Sequence, residues 1–184
     1  MNVLFSILQV LPKKLYICVL RNFNMSKKIN ISFPDSNVQA KAELLQNEAP
    51  ETCRLLWQLL EHPIEGKAIH AMYSGREIWT PTPPPMTKIP PENLTCFPIP
   101  GDILYNHFDQ ATLGQNWENA CANFSDELAF FYGRGGRCFN ELGWVPGNRF
   151  ATIVENLEEF AAMGSQIQLE GAQKMIVTRI EKLD

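Results

Sequence analysis

Apolar and polar residues alternate along the chain from residue 28. In KINISF (28–33), Ile29, Ile31 and Phe33 alternate with polar neighbours, the period-two signature of a strand buried on one face. PDSN (34–37) carries turn residues, and VQAKAELL (38–45) alternates again at its start, so this stretch predicts a β-hairpin. The period then lengthens. Pro50 and Glu51 suit a helix start: the N–H that proline lacks has no partner there, and Glu51 meets the positive end of the helix dipole. Leu55, Leu56, Leu59 and Leu60 form one apolar stripe with Trp57 at its edge, and His62-Pro63 ends the helix.

Residues 66–80 read as two short strands around Ser74-Gly75. Six of the 13 prolines fall in 81–91, which predicts a stiff extended loop outside any ladder. GDILYNHF (101–108) reads as a strand, and 109–126 as a long loop with a short helix near Trp117–Cys121. ELAFFYG (127–133) is apolar on both faces, hence a central strand. Glycine-rich turns follow in GRGGR and GWVPGN, then a strand, RFATIV (149–154). Asn156 with Glu159 has the form of a capping box, opening a helix with Leu157, Phe160, Ala161 and Ile167 inward and Gly171 at its end. QKMIVTRIEKL (173–183) supplies a last strand. The order predicts a mainly β barrel or sandwich plugged by two helices.

Composition adds a boundary. Residues 1–24 hold Lys13, Lys14 and Arg21 and no acid; without them 13 basic residues face 20 acidic ones, net -7 against -4 for the 184-residue chain. Neither apolar run of that segment approaches the ~20 residues of a membrane span, and no cleavage site follows them. The expected division is an extension over 1–24, a mis-assigned start or a disordered tail, and one domain over 25–184. The acidity argues against nucleic acid and anionic membrane as partners. Five widely spaced cysteines without CxxC predict buried free thiols in a reducing, cytoplasmic setting. No HxH, HExxH, GxGxxG or P-loop lysine occurs, so no metal or cofactor is expected.

The order of elements resembles the cyclophilin fold, a closed β-barrel capped by two helices, over nearly all of 28–183. APETCRLLWQLL resembles the first cyclophilin helix, ELAFFYG the central double-Phe strand, and FATIVENLEEFAAM the strand and helix that follow. IHAMYSG, IPGDILY, ELAFFYGR and GWVPGNRF resemble still more a family of small bacterial and archaeal cyclophilin-like proteins of unknown function. Cyclophilins are prolyl isomerases whose active-site stretch runs His-Arg, then Pro-Gly-Phe-Met, then Gln. Here His70 and Gly75 match the His and Gly positions. The catalytic Arg is replaced by Ala71, the pocket Phe and Met by Arg76 and Glu77, and the Gln by Trp79. A proline pocket with two added charges desolvates poorly, so the resemblance implies the fold more than the isomerase.

On that barrel the expected site gathers His70, Arg76, Glu77, Trp79, Tyr105, His107, Phe131 and Trp144 on one concave face. An aromatic wall with convergent polar groups is the usual makeup of a small-molecule site. Arg76 would fork onto a carboxylate, and His70 or His107 would serve as acid or base. Arg134 and Arg137, flanking Gly135-Gly136, make a second anion-binding candidate or a homo-oligomer contact. Plain structural readings stand beside these: Trp79 and Trp144 as core, His70 as a hydrogen-bonded structural residue, the arginines as solvated turn residues. The expectation is a protein that binds a small anionic or amide-containing metabolite and hydrolyses or isomerises it if it acts on it at all. The alternatives are a degenerate prolyl isomerase or peptide-binding module, and an assembly subunit.

Overall fold

The computed structural model describes residues 26–107, 126–140 and 143–181. The expected extension over 1–24 and the short helix near Trp117–Cys121 lie outside the described residues. Strands β1 (Lys28–Phe33) and β2 (Val38–Leu44) form the expected hairpin, turned at Asn37 with φ 57°. Helix α1 (Pro50–Leu59) follows, then β3 (Ile64–His70), β4 (Glu77–Thr82), β5 (Leu94–Thr95), β6 (Asp102–His107) and β7 (Asp126–Phe131). A small hairpin, β8 (Phe139–Asn140) and β9 (Gly143–Trp144), precedes β10 (Gly147–Glu155), helix α2 (Leu157–Glu170) and β11 (Gln173–Ile180). The order β2-β1-β11-β3-β4-β7-β6-β10 closes through a β2–β10 ladder into an antiparallel barrel of eight strands with two helices.

Closure removes sheet edges and gives every strand an inward and an outward face. Ile29, Ile31, Phe33, Ile78, Ile103, Phe130 and Phe150 are among the residues that fill the interior. Helix α2 adds Phe160, whose ring lies 5.9 Å from Phe33 and 6.0 Å from Phe130. Gly164 lets this helix approach Tyr132 closely, since a Cβ there would stand 2.6 Å from the ring. Helix α1 packs on β10, where the Cys53 thiol meets the Phe150 carbonyl.

Two local expectations are corrected. The capping box does not form: Asn156 adopts the left-handed conformation, caps nothing, and its side-chain amide donates to the Gln39 carbonyl. Strand β4 runs on through Pro81, opposite Glu127. The β3 ladder ends at Trp79, so Pro81 falls where β4 is laddered on one side, a place that tolerates a missing N–H. The proline-rich loop is also tied down. Glu92 accepts from the Glu51 and Thr52 backbone amides at 3.2 and 2.8 Å, and so caps α1 from 40 residues away. No helix among the described residues is long and apolar enough to cross a membrane.

Candidate functional site

Strands β4, β7 and β6 carry apolar residues on both faces, and their registers sort the expected site residues. Glu77 pairs with Phe131, Trp79 with Ala129, and Ala129 with Leu104. Leu104, Ala129 and Phe131 form, with Cys138, a small cluster separate from the main core, so this row lies on the outer face. The other parity, Ile78, Phe130, Ile103 and Tyr105, belongs to the interior. The expected single constellation is therefore divided. Glu77, Trp79 and Phe131 stand outside. Tyr105 turns inward, and so does His107 two residues along the same strand. His70 sits opposite Ile78 and turns inward too.

His70 is held at both ring nitrogens. Its Nδ1–H donates to the Ala71 carbonyl at 2.8 Å, because a carbonyl can only accept, and Nε2 accepts from the Tyr132 hydroxyl at 2.8 Å. Burial lowers its pKa, against the pull of the Ala71 bond. A neutral imidazole locked in one tautomer orients the β3–β4 turn and offers no spare nitrogen. His107 donates from Nδ1 to Asp126 Oδ1 at 2.5 Å.

The outer face carries two buried carboxyls: the expected Glu77, and Glu127, which the sequence reading missed. Glu77 is 4% and Glu127 7% exposed. They lie on the same face of adjacent strands, four residues apart in register, with the small Ala129 between them. The Asn106 amide donates to Glu127 Oε1 at 2.7 Å. Gly147 lies beside Asn106 at the end of the β6–β10 ladder, and a Cβ there would collide with Asn106 Oδ1. Burial pushes Glu127 up to about 7 despite the Asn106 bond. Burial, then the charge of Glu127, holds Glu77 well above the usual carboxylate range, with a Ser74 hydrogen bond partly opposing. The asymmetry assigns the protons: Glu127 ionises first, near neutrality, and its charge keeps Glu77 protonated. An acid and a base thus share one face. Burial also pushes the Cys138 thiol up to about 12, with help from the Glu77 charge, so it is an apolar wall and not a nucleophile.

The row itself is covered, with Leu104, Ala129 and Phe131 fully buried, and two rims lie beside it. The β3–β4 and β7–β8 turns touch, with Ser74 O accepting from the Arg137 amide and Gly75 against the Gly135 carbonyl. These turns carry exposed Arg76, Arg134 and Arg137, none in an ion pair with a described residue. The other rim is aromatic. Trp144 on β9 is 54% exposed, with ring centroids 5.1 Å from Phe97 and 5.2 Å from Phe139. It is a rim residue rather than core, and Trp79 is half-buried. A signal for Glu127 did exist: carboxylates are disfavoured in strands, and four stand in strands whose other residues are mostly apolar, Glu77, Asp102, Asp126 and Glu127. No group of three metal-ligating His, Cys, Asp or Glu side chains occurs among the described residues.

No curated protein matches the chain. Among solved structures, one described as the structure of McbB in complex with tryptophan is similar, with a TM-score of 0.59 and 18% identity. The match covers 85% of this chain and 46% of that one, so the chain spans about half the length of that neighbour, and the likeness shows the fold alone. Residues 31–179 match the family model described as protein of unknown function (DUF3830), and the chain belongs to that family.

Proposed function

We propose that this protein is a cyclophilin-like barrel that binds a small carboxylate- or amide-bearing metabolite on its outer face, over Ala129 and between Glu77 and Glu127. The observation that carries the reading is the pair of buried carboxyls, one holding its proton and one ionising at about 7. Burying two acids is expensive, and a fold keeps such a pair where proton donation and acceptance are wanted. Arg76 and Arg134 take the ligand carboxylate, and Trp79, Phe131 and Trp144 wall its body. Glu77 serves as acid and Glu127 as base, in place of His70 and His107, which face the barrel interior. The free thiols of Cys53, Cys96 and Cys138 support a reducing, cytoplasmic setting. Ala71 at the position of the isomerase Arg, and a buried acid beside it in the pocket, speak against prolyl isomerisation.

The neighbour solved with tryptophan suggests the first probe, a molecule with a carboxylate, an ammonium and a ring. Calorimetric titration with L-tryptophan, its amide and an indole carboxylic acid tests the reading. Carboxylate probes should bind, and Arg76→Ala should weaken them about tenfold or more, the loss of one charge-assisted bond, with an unchanged melting temperature. No heat from any probe, or an affinity indifferent to Arg76→Ala, rejects it. A second reading rests on the exposed Phe97–Trp144–Phe139 cluster, a subunit contact; light scattering that shows a monomer in wild type and in Trp144→Ser alike rejects that one.

A further inference from the structure

Two segments that cover the outer face meet at a pair of cysteines. Gly136, in the β7–β8 turn, sits over Phe131 and beside Pro98: a Cβ there would stand 2.6 Å from the Phe131 ring and 3.5 Å from Pro98 Cγ. The Phe97 and Trp144 rings bridge the same two segments, with centroids 5.1 Å apart. Between these contacts the Cys138 amide donates to the Cys96 carbonyl at 2.9 Å. That bond, with the bend at the amide nitrogen, holds the two Cα atoms no more than about 6.5 Å apart. Disulfides join Cα atoms about 4.4–6.8 Å apart, so the backbone already holds the pair at bridging distance. Both thiols are free; Cys138 is buried and packs on Leu104, Ala129 and Phe131, while Cys96 is half-buried and open in part to solvent. The thiols also lie within electrostatic reach of one another, since Cys96 helps raise the Cys138 pKa, after burial and the Glu77 charge.

We propose that Cys96 and Cys138 form a peroxide-sensitive dithiol, which closes into a reversible disulfide and fastens the two covering segments together over the outer face. Cys96, the accessible thiol, meets the oxidant first. Its sulfur attacks one oxygen of hydrogen peroxide, the O–O bond breaks, and a sulfenic acid and one water result. The Cys138 sulfur then attacks the Cys96 sulfur; the S–S bond forms, and the hydroxyl leaves with the Cys138 proton as a second water. Two thiols lose two electrons, and one peroxide becomes two waters. The Cys138 thiol, pushed up to about 12, is inert toward free molecules. Beside a sulfenic acid it acts at an effective concentration on the order of 10⁵ M, which offsets a thiolate fraction of about one in 10⁵ at pH 7. Added dithiol reverses the bond, as suits a redox-responsive pair in a reducing compartment. The proposal stands whether or not the Glu77–Glu127 pair binds a metabolite.

The test exposes the full chain to a few equivalents of hydrogen peroxide, blocks remaining thiols with iodoacetamide in denaturant, and maps the digest by mass spectrometry. A peptide pair joined through Cys96 and Cys138, lighter by two hydrogens than its parts, is the expected product. The bond closes a loop of 43 residues, from 96 to 138, so the oxidised protein should melt about 5–10 °C higher, and dithiothreitol should return it to the starting value. Cys96→Ser and Cys138→Ala should each abolish the linked peptide and the shift, and Cys53→Ser should change neither. Cys96→Ser alters a half-buried position, so it tests the pair even where Cys138→Ala weakens the packing. Oxidation of Cys96 to sulfinic acid without a link, a link through Cys18 or Cys121 instead, or the same shift in Cys96→Ser overturns the proposal.

Discussion

Replacing Glu127 by Gln should stabilise the protein, and only above the acidic range. Gln keeps the Oε1 acceptor that the Asn106 amide uses at 2.7 Å, so the hydrogen bond survives and the ionisation goes. In the folded protein Glu127 ionises at about 7; unfolded, it returns to its ordinary value of 4.5. Below 4.5 both states are protonated, and the carboxyl is neutral to stability. Between 4.5 and 7 the unfolded chain releases a proton that the folded chain keeps, so stability falls as pH rises, then levels off. Each pH unit crossed in this window costs about 1.4 kcal/mol, so wild type loses roughly 3 kcal/mol between its two ends and Glu127→Gln escapes that loss. For a domain of this size that is about 6–12 °C in melting temperature. Chemical denaturation of both proteins at pH 4, 6 and 8 measures the difference directly, and effects of groups other than the coupled Glu77 cancel in it. A residual fall remains in the variant, because Glu77 is also buried. Parallel stability curves, or a variant less stable than wild type at pH 8, would refute a proton held on Glu127 in the folded state.

Other consequences are structural. Glu92→Ala should cost about 1–2 kcal/mol, the usual loss of a helix cap, and a urea titration should show it as a lower midpoint with an unchanged slope. Gly164→Ala should destabilise by about 1–3 kcal/mol, because a methyl group 2.6 Å from the Tyr132 ring forces α2 off the barrel; a rise in melting temperature from the better helix former would contradict that packing. Tyr132→Phe removes the donor to His70 Nε2 and should cost about 1 kcal/mol, with the His70 ring resonances shifted in an NMR spectrum; unmoved resonances would deny the bond.

Much of the fold was legible because strand periodicity is local. Ile29, Ile31 and Phe33 announce their buried face through alternation alone, and Pro50 and the leucine stripe announce α1. The failures share a cause. Asn156 followed by Glu159 looks like a cap, yet the Asn side chain is claimed by Gln39, 117 residues away in sequence. Glu92 caps α1 with no trace of that in its own neighbourhood.

The candidate site divides along the same line. Alternation establishes that Tyr105 and His107 share a face, and that Glu77 and Trp79 do. It cannot say which parity faces inward when a strand is apolar on both sides, as β7 is with Leu128, Ala129, Phe130 and Phe131 all buried. The tertiary structure decided that by closing the barrel: the parity facing α2 became core, and the other became a second buried row packed with Cys138. The sequence by itself determined the strands, the two helices, the acidity and the residue types available for chemistry. Only the closed barrel decided that Glu77 and Glu127 share one buried face while His70, Tyr105 and His107 share the other. Register and burial are properties of paired strands, and the pKa values that make a carboxyl an acid or a base follow from burial.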